Sequence, residues 1–146
     1  MSYLLDTNVI SELVRQSPNA NVVTWVDSLP SEAMHLSALS LGEIRKGVEK
    51  LATGAHRERL RIWLEHDLPG WFATRIHPID VRVADRWGLL SAETALSGKS
   101  APAIDTLIAA TALTHNLTLA TRNLVDFQFA GLLVINPWDT TSIPPQ

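Results

Sequence analysis

Apolar residues recur along this chain in two rhythms. Short stretches at Leu4-Leu5, Met34-His35-Leu36, Arg75 to Ile79, Leu117 to Ala120 and Leu132 to Ile135 have the length of strands. Between them, apolar residues return every three or four positions. Val9, Ile10, Leu13 and Val14 predict a first helix, and Val22, Val23, Val26 and Leu29 a second that starts near Ala20 and ends at Pro30. A third runs from Ser40 through Leu51. After the Thr53-Gly54 break, a longer helix from His56 carries Leu60, Trp63, Leu64, Leu68 and Trp71 on one side, with Arg61 and Glu65 spaced as an i,i+4 ion pair. Asp80 is placed to cap a helix whose inner face is Val83, Ala84, Trp87 and Leu90, leaving Asp85 and Arg86 outside. Pro102 opens a last helix that is apolar nearly all round from Ala103 to Leu113, as a central helix would be.

Strands separated by helices predict an α/β fold with a central, mostly parallel sheet of about five short strands flanked by helices. Pro78 sets the third strand at an edge or ends it early. The third and fourth helices read as a hairpin projecting from the sheet, and its Trp-rich face is a candidate partner surface. A single domain is expected over residues 1–139, followed by a flexible polar tail over 140–146. Trp25 is open to two readings, core or dimer contact. His35 reads as a polar strand residue, since no other histidine lies at ligand spacing.

Composition narrows the function. At 46% apolar and 18% charged, the 146 residues are enough for one core and are not those of a disordered chain. No apolar run approaches the roughly 18–20 residues of a membrane span, and the first residues do not read as a secretory leader. The absence of cysteine excludes disulfides and thiolate metal sites, and a cytoplasmic location is expected. A net charge of −3 argues against nucleic-acid binding through overall basicity. Half of the basic residues nevertheless fall in one stretch, at Arg45, Lys46, Lys50, Arg57, Arg59 and Arg61. They form either a solvated helix face or a rim that contacts phosphates or a partner.

The chemistry lies in the acids. Asp6 follows the first strand and Thr121 the fourth, the latter feeding a loop with Asp126. Glu43 and Asp105 lie near helix starts. Each acid has a local alternative role: Asp6 as a helix cap, Glu43 in a capping box with Ser40, and Asp105 as a favourable charge in a first helical turn. Right-handed crossovers nevertheless bring strand ends and helix starts to one rim, where ligands bind in such sheets. Carboxylates gathered there stay ionised only beside a cation, and oxygen ligands without cysteine or paired histidine select Mg²⁺ or Mn²⁺. Such a site can polarise a phosphodiester and lower the pKa of water, which predicts a metal-dependent phosphohydrolase. Ser97-Gly98-Lys99-Ser100 lacks the spaced glycine and preceding strand of a phosphate loop.

Four linked motifs add a resemblance. Leu5-Asp6-Thr7-Asn8, Leu41-Gly42-Glu43-Ile44-Arg45-Lys46-Gly47, Ile104 through Ala112 with Asp105, and Ala120-Thr121-Arg122-Asn123 resemble the PIN domain in order and over nearly the whole chain. More narrowly they are similar to VapC-type toxins of the FitB-like subgroup, which share an ending similar to Ile135-Asn136-Pro137-Trp138. The resemblance implies an Mg²⁺-dependent endoribonuclease, the toxin of a type II toxin–antitoxin pair. Its implied partners are an RNA substrate, a VapB-type antitoxin, a second copy in a homodimer, a toxin–antitoxin hetero-oligomer, and DNA only through the antitoxin. It implies Asp6 and Asp105 as metal ligands and Glu43 on the metal or its waters. Thr7 and Thr121 would orient the acids, with Asn8 assisting. Where the family commonly has a fourth acid this chain has Asn123, so either Asp126 swings inward or Asn123 ligates without charge. Two other readings stand: an antitoxin-bound repressor subunit with vestigial nuclease activity, and a small-molecule phosphatase.

Overall fold

A computed structural model describes residues 1–143. Five strands, β1 (Tyr3–Leu5), β2 (Met34–Ser37), β3 (Ile76–His77), β4 (Thr118–Ala120) and β5 (Val134–Ile135), form one parallel sheet in the order β3-β2-β1-β4-β5. Pro78 does both things expected of it, since β3 stops at His77 and lies at the sheet edge. β1 is apolar at every position because both faces are covered. Its residues alternate between two cores, as the two-residue strand period requires. Tyr3 and Leu5 face one side with Val9, Val22, Trp25, Ile44, Leu64, Leu68 and Phe72. Leu4 faces the other with Val83, Leu90, Ile108, Ala109 and Ala112.

The first side is covered by α1 (Thr7–Leu13), α2 (Ala20–Asp27), α3 (Ala38–Glu49), α4 (Ala55–Ile62) and α5 (Leu68–Phe72). The second is covered by α6 (Val81–Leu96) and α7 (Ala103–Thr114). α3 begins earlier than expected. Ser37, the last residue of β2, caps it by accepting from the Leu39 N–H at 3.1 Å. Ser40 is therefore buried within the helix, the Ser40–Glu43 capping box does not form, and the Glu43 carboxylate is free to turn elsewhere.

The fourth helix is interrupted by a π-helical turn over Trp63–Asp67. A π turn advances fewer degrees per residue than an α turn. Leu64, Leu68 and Phe72 consequently line up in the core, while Trp71 is turned out and 55% exposed. The Arg61–Glu65 pair is also replaced. Arg61 bonds Glu49 and Glu58, and Arg45 bonds Glu49 and Glu65, which ties α3 to the following helix across the hairpin. On α6 the buried stripe is narrower than expected. Val83 and Leu90 face α7, whereas Ala84 is exposed and Trp87 is 37% exposed. Trp25 is core: it is 4% exposed and meets Tyr3 edge to face at 5.0 Å, so it offers no dimer surface. Past Asp139 the chain makes one more turn over Thr140–Ser142, and Ile143 packs on the first core. The remainder of the expected tail lies outside the described residues.

His35 is not isolated, although nothing near it in sequence says so. Its Nδ1 lies 2.8 Å from Nε2 of His77, and His77 stacks on His115 at 3.9 Å. Burial holds the His77 pKa down to about 4, helped by repulsion from His115 and His35 and opposed by Asp80. Burial, then Arg75, also lowers that of His35. A histidine whose folded pKa lies below its unfolded value contributes stability above about pH 6.5 that is lost as the pH falls towards the folded value. Urea midpoints of the native chain should therefore drop between pH 7 and pH 4.5. The drop should be smaller in His77→Gln, and an identical pH dependence in the two proteins would rule out this cluster as its source.

Candidate active site

β1 and β4 pair in register, Leu5 with Ala120, so the next residues, Asp6 and Thr121, stand side by side beyond the strand ends. Strand order reverses direction here, with β2 and β3 on one side of β1 and β4 and β5 on the other. A crevice opens at such a point, and its walls are the turns leaving the strands.

Asp6 is 6% exposed and uses both carboxylate oxygens. One accepts from the Thr7 N–H at 2.8 Å and so caps α1. The other accepts from the Thr121 hydroxyl at 2.7 Å. Thr121 Oγ1 in turn accepts from Asn8 Nδ2 at 3.2 Å and from the Asn123 N–H at 3.1 Å, so this fully buried hydroxyl has its donor and both lone pairs engaged. The Thr7 hydroxyl reaches across to α3 and donates to Glu43 Oε1 at 2.7 Å. One threonine thus holds each of the two acids, and Asn8 ties the loop after β4 back to α1. Its Oδ1 also accepts from the Arg122 N–H at 3.4 Å.

Asp105 lies in the first turn of α7, half-buried and without a hydrogen bond among the described residues. Pro102 precedes that helix and supplies no side-chain cap. The Asp105 pKa is raised by burial and then by the charges of Asp6, Asp126 and Glu43. That of Asp6 is raised by burial against its two hydrogen bonds, with Glu43 and Asp126 adding to the rise. Acids from four separated segments therefore act on one another at this rim. Asp126 stands on a short turn, Leu124–Phe127, anchored by Phe127, which is 2% exposed. Asn123 is exposed and enters the network through its backbone N–H, so at this corner the charge felt by Asp6 and Asp105 is that of Asp126.

One contact was not foreseeable locally. Arg122 lies over the Trp138 ring at 5.3 Å, joining the loop after β4 to the chain beyond β5. No sequence spacing signals a cation–π pair of that separation.

The donor set consists of carboxylate oxygens, the kind preferred by hard divalent cations. Among the described residues, no three His, Asp or Glu side chains form a group that could hold a metal ion as they stand. The unbonded Asp105 carboxylate can rotate toward the rim, and each Asp6 oxygen keeps lone-pair capacity beyond its single accepted bond. The residues therefore fit a hard divalent ion in chemistry, with side-chain closure required.

Known proteins place the chain in a family. A family model described as the PIN domain matches residues 3–128. The chain belongs to the PIN-domain family. This PIN domain is 44% identical over 135 residues to toxin FitB of Neisseria gonorrhoeae, covering 92% of the chain and 97% of that protein. It is 38% identical over 136 residues to VapC ribonuclease Y4jK of Sinorhizobium fredii, covering 93% and 97%. The solved structure of FitAB bound to an IR36 DNA fragment superposes with a TM-score of 0.88 at 42% identity, covering 94% of this chain and 96% of that one. All four acids lie inside the family match. No helix among the described residues is long and apolar enough to cross a membrane.

Two stability measurements probe the site. Thr121→Val leaves a buried carboxylate short of a donor and should cost about 1–3 kcal/mol, while Thr121→Ser should recover most of it in urea denaturation. Asp105→Asn removes a repelling charge and should raise the melting temperature of metal-free protein at pH 7, by less than the roughly 2–4 °C that about 1 kcal/mol gives a domain this size, because solvent screens a carboxylate this exposed.

Proposed function

We propose that this PIN domain is a metal-dependent endoribonuclease, the toxin of a type II toxin–antitoxin pair, and that Mg²⁺ is its ion. What supports the reading is that Glu43 and Asp126 act electrostatically on both Asp6 and Asp105 at the reversal point of the sheet. Two of these acids, Asp6 and Glu43, are fixed by threonine hydroxyls, and burial, with the neighbouring carboxylates adding to it, raises the pKa of Asp6 and Asp105.

In this reading Asp6 and Asp105 are the direct ligands, and Glu43 holds the ion or its waters. Thr121 and Thr7 act as positioning residues: each fixes the rotamer of one acid, so that ligand geometry does not have to be assembled at each encounter. A bound divalent ion would supply Lewis-acid polarisation of the phosphodiester and lower the pKa of the attacking water. Asp126, exposed and outside the hydrogen-bonded network, is suited to orienting that water or accepting its proton. Asn8 and Asn123 keep the loop after β4 in place.

The FitAB structure and the name of the VapC ribonuclease motivate a protein partner of VapB type, with DNA reached through that partner. On this chain, a groove of about 410 Å³ between α1, α3 and α4, lined by Val14, Ile44, Val48, Leu60 and Trp63 and ending at Glu43, suits an amphipathic antitoxin segment. Bound there, it would both bury apolar surface and obstruct the acids. A homodimer and a toxin–antitoxin hetero-oligomer complete the proposal.

Purified protein should cleave RNA with Mg²⁺ and stop when EDTA is added. Asp6→Asn should lower the rate by at least about 100-fold with an unchanged circular-dichroism spectrum, and its expression should no longer arrest growth. Full activity in Asp6→Asn, or cleavage of nucleotides but not RNA, would refute the reading.

A further inference from the structure

The basic stretch between residues 45 and 61 is not one surface. Arg45 and Arg61 are consumed by Glu49, Glu58 and Glu65, and Arg57 bonds the Leu51 carbonyl and Thr53. Lys46 and Lys50 have neither an ion pair nor a hydrogen bond among the described residues, and both are exposed. Lys46 in the last turn of α3 and Lys50 at its C-cap lie one turn apart, on the face that also carries Glu43. Together with Gly42, Gly47 and Ile104 of α7 they line a groove of about 540 Å³ that begins at Glu43.

We propose that this groove carries the RNA strand away from the scissile phosphate, with Lys46 and Lys50 contacting two successive backbone phosphates. The inference rests on the nuclease reading above and adds the substrate's path. Its first support is charge: two uncompensated cations adjoin a site whose own acids repel RNA. Its second is spacing. Four residues of helix separate the lysines by about 6 Å along the axis, a step that one nucleotide of an extended strand can match. A third support comes from the glycines. Gly42 and Gly47 sit inside a helix, where glycine costs about 0.5–1 kcal/mol relative to alanine. A Cβ at either position would meet nothing within 4 Å, so no packing within the chain calls for them. Both open the helix surface to close approach by a ribose or base.

The test follows RNA cleavage by the full chain at fixed Mg²⁺ across a KCl titration. Lys46→Gln/Lys50→Gln should raise KM roughly 10-fold at low salt and leave kcat within about twofold. The slope of log(kcat/KM) against log salt should shrink by about 1.4, the loss of two single-strand phosphate contacts. Gly47→Leu should raise KM without changing the slope, and Arg59→Gln, exposed on α4, should change neither. If the native chain cleaves RNA and the double variant keeps the native KM and slope, the path is wrong while the nuclease reading stands. The same result accompanied by a change of oligomeric state in light scattering would give this face to a second copy and also overturn the proposal. If the native chain does not cleave RNA, both readings fall.

Discussion

Asp6 is a carboxylate almost out of reach of water at the end of a strand buried on both faces. Burial disfavours its charge, and the charges of Glu43 and Asp126 disfavour it further. What sustains it is the pair of donors at 2.7 and 2.8 Å from Thr121 and Thr7. Much of the surrounding architecture serves that arrangement. β1 must pair with β4 in the observed register for Thr121 to stand beside Asp6, since a shift of one residue would turn the hydroxyl to the opposite face. Asn8 and the Asn123 N–H occupy the remaining capacity of that hydroxyl, which leaves its proton directed at Asp6. The stability given up by assembling like charges would be recovered by a cation, so that repulsion would favour ion binding.

The hairpin solves a second electrostatic problem. A dense basic segment next to an acid cluster could collapse onto it and neutralise it. Here the glutamates of the hairpin engage the arginines of the hairpin first. Arg45 and Arg61 bond Glu49 in common, and the π turn at Trp63–Asp67 sets the phase of the residues that follow. These ion pairs are exposed and each contributes little to stability. Their larger effect is distribution: they assign Arg45 and Arg61 to structure and leave Lys46 and Lys50 facing the groove that starts at Glu43.

Two regions of the sheet differ in kind. At the carboxyl end, Asp6 and Glu43 are held by hydroxyl and amide donors. At the β2–β3 edge, three imidazoles stack and bond to one another, and His77 is kept neutral by burial and by its own neighbours. Acidification therefore acts on the two regions in opposite senses. It relieves the repulsion at Asp6 and Asp105, whose raised pKa values favour the protonated form, and it charges histidines that the fold prefers neutral.

The chain pattern was enough for the alternation of strands and helices, the edge position of β3 and the all-apolar helix that became α7, because these depend on local periodicity and on proline chemistry. The linked motifs around Asp6, Glu43, Asp105 and Thr121 made the family legible as well. Tertiary structure decided what local chemistry left open. Ser40 and Glu43 have the spacing of a capping box, yet Ser37 starts the helix first, and Glu43 answers Thr7 from 36 positions away. Arg61 and Glu65 have the spacing of an ion pair, yet the π turn and Glu49 supply other partners. His35, His77 and His115 share no sequence neighbourhood and still stack. In each case the deciding partner comes from another segment, or from a change of helical phase. Local spacing sets which contacts a residue can make, and packing of distant segments selects which of them it does make.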